Sequence, residues 1–134
     1  MIVVADTSVL INLCRIGRAE LLPPLFHEIV VPPAVVAEYR DLVRRDTRFA
    51  GLELPIWLRV QSPAPNPPGL RAFPELDRGE ADALALAVEI RADAILLDER
   101  RGHQVAAGLG LVVIGLLGVL LRAKAAGLLP TVAP

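Results

Sequence analysis

Short apolar runs that stop abruptly on an acid constrain this chain most. Ile2-Val3-Val4-Ala5 ends at Asp6, and Ala94-Ile95-Leu96-Leu97 ends at Asp98-Glu99. Each run is too short for a buried helix and too uniformly apolar for a strand with one wet face. Such runs fit strands of a parallel sheet covered on both sides. Glu28 to Val31 and Leu111 to Ile114 read as further short strands, stopped by Pro32 and Gly115 and not by an acid. Helical spacing fills the intervals. A helix begins around Val9–Leu13. Val35, Val36, Tyr39, Leu42 and Val43 recur at helical period behind Pro32-Pro33, and Pro is tolerated in a first helical turn. Asp77 and Glu80 have the spacing of a capping box, and the helix they open runs to about Arg91. A short helix follows over Arg101–Ala107. Gly115 opens the last helix, with Gly127 as its stop and Pro130 beyond. Strands alternating with helices predict an α/β fold, a three-layer α/β/α sandwich around a mostly parallel sheet of four to five strands.

The clearest loop is Ser-Pro-Ala-Pro-Asn-Pro-Pro-Gly at 62–69. Neither side of it is comfortable as a separate core, so residues 1–134 read as one domain with a surface excursion. Val105 to Leu121 carries no charge, but Gly108, Gly110, Gly115 and Gly118 punctuate it. A strand between turns fits it better than a membrane span. Aromatic residues are only 4% of the chain, so Leu, Val, Ile and Ala must build the core. The lone Cys14 excludes an internal disulfide and, with no secretory leader, points to a reducing cytoplasm.

The net charge of −1 argues against binding nucleic acid by bulk electrostatics, unless bound cations supply the positive charge. The basic residues are almost all Arg, with Lys124 the one Lys; coding bias is the simpler account of that. The acids carry more information. In open parallel sheets, ligands bind outside the carboxyl ends of the strands. Asp6 and Asp98-Glu99 both arrive there. A single strand-end Asp is more simply a helix N-cap, whereas two of them make convergence competitive. Asp82 falls inside a segment, 81–90, that is apolar nearly all round, and a buried carboxylate needs a partner. Glu80 stands two residues before it and has an alternative role in the capping box. Two residues apart on a helix do not share a face, so the sequence favours Asp82, with Glu80 as alternate. Glu38 flanks an apolar stripe and reads by itself as a solvated boundary residue. Oxygen ligands without a His/Cys cluster suit Mg²⁺ or Mn²⁺ better than zinc, and His27 and His103 have no ligand spacing.

The segments Ile-Val-Val-Ala-Asp-Thr-Ser-Val-Leu-Ile, Pro-Pro-Ala-Val-Val-Ala-Glu-Tyr, Gly-Glu-Ala-Asp-Ala-Leu-Ala-Leu-Ala and Ile-Leu-Leu-Asp-Glu-Arg-Arg-Gly resemble, in order, the acidic elements of PIN domains. The closing Gly-Leu-Val-Val-Ile-Gly-Leu-Leu-Gly-Val-Leu-Leu-Arg-Ala-Lys is similar to a subgroup related to VapC toxins. The resemblance implies Asp6, Glu38, Asp82 and Asp98 as catalytic, metal-binding acids, with Glu80 and Glu99 as alternates. It implies Mg²⁺- or Mn²⁺-dependent hydrolysis of phosphodiesters in single-stranded or structured RNA, leaving 5′-phosphate and 3′-hydroxyl ends. Ser8 would contact a carboxylate or phosphate, and Arg100 and Arg101 the flanking phosphates. A small antitoxin covering the acids and a homodimer are also implied, with Leu116-Leu117 and Val119–Leu121 as candidate interface. Many relatives have Thr before the last acid where this chain has Leu97, which shifts weight from Asp98 toward Glu99.

Three other readings compete. A receiver-type phosphoacceptor domain needs a strand-end Lys, and Lys124 lies in the last helix. A phosphatase of haloacid dehalogenase type needs a second Asp two residues after the first, where Ser8 stands. A binding module with this fold and no catalysis would have lost metal binding.

Overall fold

The computed structural model describes residues 1–64 and 77–129, and the side chains of 99–103 are outside that set. The proline-rich excursion, beyond Ala64, and Pro130 therefore lie outside the described residues. Five parallel strands form one sheet: β1 (Ile2–Ala5), β2 (Glu28–Val31), β3 (Arg59–Val60), β4 (Ala94–Leu96) and β5 (Val113–Ile114), in the order β3-β2-β1-β4-β5. Between them run α1 (Thr7–Arg15), α2 (Leu22–Phe26), α3 (Pro33–Arg45), α4 (Arg78–Glu89) and α5 (Glu99–Gly108), with α6 (Leu116–Ala125) at the end.

Burial explains the uniform apolar runs. Val3, Val4 and Ala5 of β1 and Ala94, Ile95 and Leu96 of β4 are all 0% exposed. Successive strand residues point to opposite faces, so both faces of the central sheet are covered by helices. Each fully buried Val, Leu or Ile contributes roughly 1.5–3 kcal/mol. The two edges are short. β3 is exposed along both residues, and Arg59 on it pairs with Glu28 of β2 at 3.2 Å. Brevity and charge at an edge discourage pairing with other chains.

Register fixes where the strand ends meet. β1 pairs with β2 through Val3↔Ile29 and with β4 through Ala5↔Leu96. The chain winds outward from β1 through β2 to β3, then returns to β4 on the other side of β1. The carboxyl ends of β1 and β4 are therefore the point where the winding reverses, the place where open α/β sheets form a crevice. Asp6 directly follows β1, and its N–H donates to the Leu96 carbonyl at 2.8 Å.

The apolar stretch from Val105 to Leu121 is divided among the end of α5, a turn at Gly110 (φ +73°), β5 and α6. A side chain at that φ would clash with its own backbone, so glycine sets the break. Among the described residues no helix is long and apolar enough to cross a membrane. On α6, Val119 is fully buried in the core, while Leu117 and Leu121, one turn apart, are exposed. Val119 is thus withdrawn from the candidate dimer surface by its packing.

Candidate active site

The acids gather as the topology requires. A cavity of about 190 Å³ lies at the carboxyl edge of the sheet, and Asp6, Glu38, Asp77, Glu80 and Asp98 all line it, with Thr7, Ser8, Leu42 and Leu97. Four separate elements contribute: the end of β1, the middle of α3, the start of α4 and the end of β4. Among the described residues, no Arg or Lys lines this cavity.

Asp6 occupies the N-cap position of α1 with extended backbone, yet its side chain makes no capping bond. The carboxylate is 5% exposed and faces the cavity instead. The N-cap account therefore fails for Asp6. Asp77 behaves differently. Its carboxylate accepts from the Glu80 N–H at 2.8 Å, which caps α4, and the same residue borders the cavity. Sequence reasoning assigned Asp77 the cap alone.

Glu80 and Asp82 exchange their expected places. Glu80 is 3% exposed and lines the cavity. Asp82 does not line it; its side chain is 31% exposed and lies 4.0 Å from the Arg78 guanidinium one turn earlier. The preference for Asp82 is corrected on geometry. α4 buries Ala83, Leu84, Ala85, Leu86 and Ala87, but its first turn is oriented by packing on α3, and that brings the third helical residue to the acids rather than the fifth.

Glu38 is no solvated boundary residue. Its Oε2 accepts from the Thr7 hydroxyl at 2.9 Å, and its Oε1 accepts from the Gly79 N–H at 2.8 Å. Thr7 and Gly79 were not singled out from sequence. A glycine in a first helical turn, where most residues would stabilise the helix more, was the available signal for Gly79.

Asp98 is exposed at the mouth and borders a second cavity of about 480 Å³ with Ser8, Val9, Asn12, Gly115, Leu116 and Leu117. Ser8 and Asp98 belong to both cavities, so the two adjoin. Leu97 is 1% exposed and gives the acid cavity an apolar wall. Glu99, Arg100 and Arg101 begin α5, and their side chains lie outside the described residues. So does that of His103. His27 ends α2 with φ +68° and is exposed, away from the acids. A larger cavity, of about 840 Å³ beside Tyr39, Arg40, Arg44 and Glu53, shares no residue with the acid site.

The donor set is all oxygen, which fits a hard divalent cation such as Mg²⁺ or Mn²⁺. Asp6, Glu38, Glu80 and Asp98 are the residues that would hold it. Among the described residues no three such side chains yet stand close enough to share one ion.

The family described as "DUF3368: PIN domain" matches residues 2–134 of the chain. No curated protein matches it. A PilT N-terminus domain protein from the hyperthermophilic archaeon Sulfolobus solfataricus P2 is similar in structure, with a TM-score of 0.64 over 98% of this chain and 96% of that one. At 18% identity that likeness speaks for the fold.

Proposed function

Because the chain belongs to the PIN domain family, whose members are typically nucleases, we propose that it is a Mg²⁺- or Mn²⁺-dependent endoribonuclease. The observation that carries this reading is the meeting of Asp6, Glu38, Glu80 and Asp98, from four separate elements, around one small cavity at the switch point of the sheet. That the cation is Mg²⁺ or Mn²⁺ and the substrate RNA is what the resemblance of the acidic segments implies, and the all-oxygen donors lining the cavity suit such an ion.

Each group in the site has its own task. The carboxylates create a site too negative for a phosphate until a cation offsets them. A bound divalent ion would neutralise the phosphate and lower the pKa of an attacking water. Thr7 and the Gly79 N–H hold Glu38 in place. The Ser8 hydroxyl, at the junction of the two cavities, can donate to a phosphate oxygen. Leu116 and Leu117 give the adjoining cavity an apolar surface for an unstacked base. Arg100 and Arg101 at the start of α5 are proposed to contact flanking phosphates.

We also propose that the chain belongs to the VapC-like subgroup and acts as a toxin, on the strength of the motif resemblance in the closing segment. A small antitoxin inserting a basic side chain among the acids would suit a cavity lined by carboxylates. An adjacent reading frame encoding such a protein would decide that part. A homodimer through exposed Leu117 and Leu121 belongs to the same proposal.

A second reading, a binding module without catalysis, is favoured by one observation: both oxygens of Glu38 are already engaged within the protein. One experiment separates the two. Labelled single-stranded RNA is incubated with the protein and Mg²⁺ or Mn²⁺, with chelator, and with Asp6→Asn. Cleavage that needs metal and is lost in Asp6→Asn is expected. No cleavage together with no metal uptake in calorimetry sinks the nuclease and leaves the binding module.

A further inference from the structure

Gly79 occupies the second position of α4, where glycine weakens a helix relative to alanine. It is buried against the tip of Glu38 from α3. A Cβ built at position 79 would fall inside that carboxylate, 2.6 Å from Oε2 and closer still to Oε1 and Cδ. Real Cβ atoms do not come so near, so glycine is the residue that lets Glu38 sit there. The Gly79 N–H, one of the amides that a helix start leaves without an intrahelical partner, donates to Oε1 at 2.8 Å. The other oxygen is held at 2.9 Å by the hydroxyl of Thr7, which is 3% exposed and directly follows Asp6. The clamp thus links three acid-bearing segments: the end of β1, α3 and the start of α4.

We infer that Gly79 and Thr7 are positioning residues for metal binding, which fix the Glu38 carboxylate at the wall of the acid cavity. This role rests on the metal-site reading proposed for the acids. What any residue larger than glycine displaces is the flexible end of a side chain, not backbone. Gly79→Ala therefore moves Glu38 and leaves α4 formed.

The test is Mn²⁺ uptake followed by calorimetry on the full chain, together with thermal unfolding in chelator. Gly79→Ala and Thr7→Val are expected to weaken Mn²⁺ binding by about 10- to 100-fold, the usual effect of removing a partner of a ligand. Thr7→Ser keeps the hydroxyl and should bind within a few-fold of the wild type. In unfolding, Gly79→Ala should raise Tm more in a Glu38→Ala background than when Glu38 is present. Only there does alanine's better helix propensity act without the displaced carboxylate opposing it.

Wild-type Mn²⁺ affinity in both Gly79→Ala and Thr7→Val overturns the positioning role. So does the same Tm shift in both backgrounds, since it would show no contact between Gly79 and Glu38. A wild type that takes up no Mn²⁺ overturns the metal reading and the positioning role together. That outcome is distinguishable from the first, in which the wild type binds and the variants bind equally well.

Discussion

The third and fifth residues of a helix point about 200° apart, so α4 can direct only one of Glu80 and Asp82 at the acids. Glu80 is that residue, and Asp82 lies beside Arg78. Glu80→Gln is expected to lower metal-dependent cleavage at least about 100-fold, since it takes a charged donor from the site. Asp82→Asn removes half of an exposed i,i+4 pair, worth only tenths of a kcal/mol, and should leave the rate within a few-fold. Single-turnover cleavage of one RNA by both variants decides it, and the reverse ranking would move the site to the other face of α4. The ambiguity had a physical origin. The segment 81–90 is apolar on nearly every side, so its periodicity does not say which face meets the sheet. Asp6 and Asp98 were legible because each ends a strand, and a parallel sheet leaves little freedom in where a strand end goes. Glu38 was legible only through resemblance. Its place depends on Thr7 and Gly79, from distant parts of the chain, and no local pattern encodes such a contact.

Elements differ in how strongly local chemistry fixes them. Asp77 caps α4 through the Glu80 N–H, and the spacing announced it. Asp77→Ala should cost about 1 kcal/mol of stability, measured by urea unfolding, because the capping bond to a first-turn amide is lost. A loss of cleavage far beyond what that stability change explains would show that Asp77 serves the cavity as well. A similar cap stands at the 3₁₀ turn Thr47–Phe49. There Asp46 accepts from the Arg48 N–H at 3.0 Å, and the Arg48 guanidinium reaches back to the same carboxylate. These bonds hold Asp46 down at about 2, below its ordinary 3.8. The group therefore contributes stability above pH 4, and loses that contribution as pH falls from about 4 toward 2. Carboxyl NMR should find the Asp46 midpoint near 2, and Arg48→Ala should move it upward; a midpoint at the ordinary value in the intact protein would mean that the ion pair is not formed in solution. The elements that escaped sequence reasoning are those without a local signature. β3 is two exposed residues that exist because β2 offers an open edge, and α2 is five residues opening on Leu22-Pro23-Pro24. Tertiary packing creates both, so periodicity does not register them.

At the scale of the whole molecule, charge placement matters more than charge total. The chain carries a net charge of −1, yet five carboxylates border a single cavity of about 190 Å³. A phosphodiester approaching that edge meets the repulsion of those carboxylates, and with screening at about 10 Å only basic side chains close to the site can offset it. Two unit charges 4 Å apart interact by about 4 kcal/mol near a protein surface, so each divalent ion bound among the acids removes a large part of that repulsion. RNA binding, and not just cleavage, should therefore depend on the cation. Anisotropy of a labelled single-stranded RNA is expected to report at least roughly tenfold tighter binding with Ca²⁺, chosen as a hard cation for the same oxygen donors, than in chelator. The gain should be lost in Asp6→Asn. Equal affinity with and without the ion would mean that basic side chains hold the strand away from the acids. The adjoining cavities, from the acids past Ser8 to Leu117, would then not be the path of the RNA.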